Sequence, residues 1–149
     1  MFNLTKHSCK AACLFAACLL FVSCGNAMEN KVERGRMAKL CYVPFDVSTS
    51  APMTKANFSH SCADIGEMNV GDPRFLEIMA LIEQAEPGPF LDNGIRVGIT
   101  LPDSSIVLID DAGGVVLRGS QVKLDQPGFS RIRNMITKVA RDKGLPESQ

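Results

Sequence analysis

The chain has 149 residues, carries 16 basic and 16 acidic side chains, and contains no tryptophan. That length suits one domain, and the even charge lacks the basic excess that a nucleic-acid partner demands. There is no internal repeat and no long low-complexity tract.

Lys6 and Lys10 precede an apolar run from Ala11 to Val22, the layout of a secretory signal peptide. The run is too short to be a comfortable membrane span, which needs about 20 apolar residues. Leu20-Phe21-Val22-Ser23-Cys24 ends it with a small residue and then a cysteine. This junction resembles the lipobox of bacterial lipoproteins. The resemblance implies a signal peptide over 1–23, acylation at Cys24, and attachment to a membrane through that lipid. Gly25 rather than Asp after the cysteine implies, by the same resemblance, the outer membrane with the domain facing the periplasm. The alternative is plain secretion with cleavage after Ala27, because Gly25-Asn26-Ala27 also offers small residues where such a site needs them.

Cys9, Cys13 and Cys18 leave with the leader, and beyond Cys24 only Cys41 and Cys62 remain. In an oxidising compartment such a pair reads as one disulfide; the alternative is two separate buried thiols. Loss of Lys6 and Lys10 leaves 14 basic against 16 acidic residues. Residues 24–37 are polar and read as a tether, followed by a single domain over 38–149.

Leu40 to Phe45 is rich in strand formers, and Pro44 marks an edge or the strand's end. Asp46 to Ser61 turns to Ser, Thr, Pro and Asn and reads as a long surface loop. Ile65 to Val70 is a short second strand. Asp72-Pro73 starts a helix whose Phe75, Ile78, Met79 and Ile82 recur at helical spacing, and Pro87 and Pro89 stop it. Ile95, Val97, Ile99 and Leu101 alternate with Arg96, Gly98 and Thr100 as a half-buried strand. Ile106 to Ile109 is a continuous apolar run, and Asp111-Ala112-Gly113-Gly114 turns it into Val115 to Leu117 as a hairpin. Val122 and Leu124 suggest a last edge strand. Asp125 caps a second helix with Phe129, Ile132, Met135, Ile136 and Val139 as its apolar stripe, and Gly144 ends it. The expected fold is α+β, an antiparallel sheet of about four to five strands with two helices packed on one face.

Chemistry is sparse. The mature chain has one histidine, His60, so no metal or cofactor is expected. Asp110 to Gly114 lacks the alternating acids of a calcium loop. Ser59-His60-Ser61 is the only nucleophile-and-base cluster, and adjacency in sequence does not make a catalytic pair. Size, leader and element order resemble small periplasmic lipoproteins that neutralise toxins or hydrolases, such as the immunity proteins of interbacterial effectors. The expected function is accordingly a non-catalytic binding or inhibitory module with a protein partner in the periplasm. An assembly factor for an outer-membrane or secretion complex and a small hydrolase using His60 are the alternatives. Two groups are expected to meet the partner. One is Met53, Phe58 and His60 in the 46–61 loop; the other is the basic face formed by Arg131, Arg133, Lys138 and Arg141, suited to an acidic protein or anionic lipid.

Overall fold

The computed structural model describes residues 36–145. The leader, Cys24 and the tether up to Gly35 lie outside the described residues. The elements are β1 (Met37–Tyr42), α1 (Lys55–Ser61), β2 (Ala63–Asn69), α2 (Pro73–Glu83), β3 (Glu86–Pro87), β4 (Ile95–Thr100), β5 (Ile106–Asp110), β6 (Gly114–Leu117), β7 (Ser120–Lys123) and α3 (Gln126–Asp142). All strands join one sheet in the order β2-β1-β4-β5-β6-β7-β3, with every pairing antiparallel.

Alternation along the strands sorts side chains between two faces. Ala38, Leu40, Tyr42, Val97, Ile99, Val107, Ile109 and Val115 point to one face, where they meet Phe75, Ile78 and Ile82 of α2 and Phe129, Ile132, Ile136 and Ala140 of α3. Each Ile or Val fully removed from water there contributes about 1.5–3 kcal/mol. The helix starts follow from their caps. Asp72 Oδ1 accepts from Arg74 N at 2.8 Å, and Asp125 Oδ1 accepts from Gly128 N at 2.8 Å. The chain leaves α3 through Gly144, whose φ is +77°.

Three expectations need correction. The sheet has seven strands rather than four or five, because β3, with two residues, is too short to show a pattern in sequence and β2 and β7 both pair. Among the described residues there are three helices rather than two. Thr54 caps α1 by accepting from Asn57 N, inside the stretch expected to be a loop. The helices also do not share one face: α1 lies on the side opposite α2 and α3, where Phe58, Met53, Val43 and Ile95 form a second, smaller core.

Arg96 explains how Ile95 reaches that second core. In the β4–β5 pairing Ile95 stands opposite Asp110 and Val97 opposite Ile109, so Arg96 is the extra residue of a bulge. A bulge offsets the alternation by one position. Arg96 is therefore buried rather than outward-facing, with Nη1 donating to the Val47 carbonyl at 3.2 Å and Nη2 lying 3.7 Å from Asp111 Oδ2. This holds the 44–52 segment down on the end of the sheet. Pro44 falls just past the end of β1, and β1 itself is an interior strand.

Candidate functional site

α1 is too short to cover its side of the sheet, and what it leaves bare is the most distinctive surface of the molecule. The helix is fastened at its end by the Cys41–Cys62 disulfide, with Cα atoms 5.5 Å apart, which ties it to β1. Its Phe58 ring packs on β4 at Gly98, where a Cβ would come within 2.7 Å of the ring. Glycine is needed there for that close approach. Lys55, Phe58, Ser59 and Cys62 fall at i, i+3, i+4 and i+7, so one stripe of α1 forms a wall.

Beside this wall runs a groove of about 570 Å³ whose floor is Gly98, Ile106, Leu108 and Val116. These belong to β4, β5 and β6, and register pairs Gly98 with Leu108 and Leu108 with Val116 across the strands. Ile106 is 51% exposed, a large apolar side chain on the part of this face that α1 leaves open. Thr100 and Ser105 add hydroxyls, and Arg118 closes the far end.

The charges at the two ends differ in how they are used. Arg118 Nη2 donates to Asp103 Oδ2 at 2.5 Å. Asp103 also accepts from the Ser105 hydroxyl at 2.5 Å and from the Ser105 amide at 3.0 Å. These bonds, the Ser105 hydroxyl first and then its amide and Arg118, lower the Asp103 pKa from 3.8 to about 2. Lys39 on the same face lies 3.9 Å from Glu67. Lys55 has no carboxylate within ion-pair distance among the described residues.

The residues expected to meet a partner are dispersed. Met53 is only 7% exposed: its amide donates to the Asn93 carbonyl at 2.9 Å, and its own carbonyl accepts from Ile95. Phe58 is 5% exposed. Neither is an exposed anchor, because the segment between Cys41 and Cys62 is folded onto the sheet. His60 is exposed on the last turn of α1. The neighbouring Ser59 hydroxyl donates to the Ala56 carbonyl rather than to the imidazole. The basic face lies on α3, on the other side of the sheet. There Arg131 is engaged by Glu77 of α2, and Arg133 sits 5.4 Å above the Phe45 ring and 3.9 Å from Asp46. Lys138 and Arg141 are exposed. The structure does not bring the two groups together.

The groove floor had a signal in sequence. Ile106 to Ile109 is apolar at every position, so both faces of β5 are apolar, while α2 and α3 cover one and the short α1 leaves part of the other open. The stretch from Asp110 to Gly114 is structural: the buried Asp110 carboxylate accepts from the amides of Leu91, Ala112 and Gly114 at 2.6–2.8 Å and fixes the β5–β6 turn. Comparison with family models, with curated proteins and with solved structures finds no match.

Proposed function

We propose that this chain is a non-catalytic binding module held at the bacterial envelope by a lipid on Cys24, and that the sheet face that α1 only partly covers is the binding face. The observation that carries the reading is Ile106, half exposed beside Leu108 and Val116 on a sheet whose other side is packed by α2 and α3. A concave site lined by apolar side chains with a few polar groups at its rim has the usual makeup of a binding site. The Cys41–Cys62 disulfide suits an oxidising compartment and holds the groove wall in place.

A photo-crosslinking amino acid placed at position 106, with position 138 on α3 as control, tests the reading in living cells. The expected result is a defined adduct from 106 and none from 138. Adducts confined to 138, or none from any groove position, would move binding away from this face.

A further inference from the structure

We infer that the groove beside α1 takes a long-chain carboxylate, its acyl tail on the apolar floor and its anionic head at Lys55, an assignment that rests on the face partly covered by α1 being the binding face.

The shape favours a chain without amides. The groove crosses β1, β4, β5 and β6, three strand spacings or about 14 Å. Its volume of about 570 Å³ falls within the range of about 300–1,000 Å³ usual for small-ligand sites. Its floor is side chains on a sheet face, with the backbone of these interior strands already used in the ladders. A peptide laid there would leave its own amides without partners against Ile106, Leu108 and Val116, which is costly. A partner helix, about 10–12 Å across, would have to share this face with α1. The same helix stands proud of the face and obstructs the flat stacking of a second copy. An acyl chain has no backbone to satisfy.

Charge sets the direction. At the β6–β7 end Arg118 is already neutralised by Asp103. At the α1 end Lys55 is exposed and has no carboxylate partner among the described residues, with the Ser59 hydroxyl one turn further on. A carboxylate head placed there pairs with the one lining cation that lacks an anion, while the tail runs toward Val116.

Isothermal titration of the full chain carrying Cys24→Ala with sodium dodecanoate, below its micelle-forming concentration, tests the assignment. Saturable one-to-one binding is expected. Decanoate, shorter by two methylenes, should bind on the order of tenfold weaker. Lys55→Glu should weaken dodecanoate at least tenfold and improve binding of dodecyltrimethylammonium, and Ile106→Glu should abolish both. Because both side chains are exposed, unchanged melting temperatures are expected for these variants. Equal binding by the parent and both variants, or none, would overturn the proposal. So would binding of phosphatidylglycerol vesicles without binding of the free acid, or a concentration-dependent dimer removed by Ile106→Glu. A position-106 adduct with no dodecanoate binding would refute the carboxylate and leave the binding face standing.

Discussion

Asp110 joins two segments through one carboxylate. Oδ1 holds the amides of Ala112 and Gly114, and Oδ2 holds that of Leu91 nineteen residues away. Asp110→Ala leaves these amides without their acceptor, that of Gly114 in a buried setting and the other two partly buried, and charge-assisted bonds of this kind are worth about 1.5–3 kcal/mol each. A loss of at least about 3 kcal/mol in urea unfolding is expected. Asp103 makes similar bonds in the open, so its contribution depends on pH. Its folded-state pKa lies below the ordinary value, so the stability it adds is complete above about pH 4 and is lost as pH falls toward 2. Melting temperature followed from pH 5 to pH 2 should fall less steeply in Asp103→Asn than in the parent, and carboxyl NMR should place the parent's titration near 2.

At the scale of elements, α1 depends on two attachments. Removing the covalent one with Cys41→Ala and Cys62→Ala together frees a 21-residue separation and should cost roughly 3 kcal/mol, read as a lower denaturant midpoint. Phe58→Ala empties the contact over Gly98 and should cost about 3–5 kcal/mol, seen as a fall of more than about 10 °C in a domain of this size. Long, periodic elements were legible from the residues: α2 and α3, their Asp caps, the β5–β6 hairpin and the Cys41–Cys62 pair all stand where the sequence puts them. The failures have local physical causes. α1 has seven residues and one buried side chain, too few to display a period. The Arg96 bulge breaks the alternation by which Ile95 reads as part of the main core. The groove was half legible, since the apolar run at Ile106 to Ile109 announces two apolar faces and says nothing of which one stays bare.

At the scale of the whole molecule, the leader and the domain make separate statements. If Cys24 is acylated as proposed, Cys24→Ala should remove the acyl groups, read as a change in mass, and weaken retention in the membrane fraction, because the several chains of a lipoprotein anchor firmly where one alone does not. An unchanged mass in the membrane fraction would return the leader to simple secretion or retention. The domain itself should melt at the same temperature in both forms, since the sheet closes on residues from Met37 onward.

The first strand of the chain is not at the rim of the sheet. β1 lies between β2 and β4, and its pairing of Leu40 with Ile99 joins positions nearly sixty residues apart. A nascent chain that ends before Ile95 has only one neighbour to offer β1 and none of the β4 residues that complete its ladder. Such distant pairing closes slowly. If the chain is exported as proposed, this ordering acts as a timer: β1 waits for the middle of the polypeptide, and its ladder stays incomplete until β4 has been made.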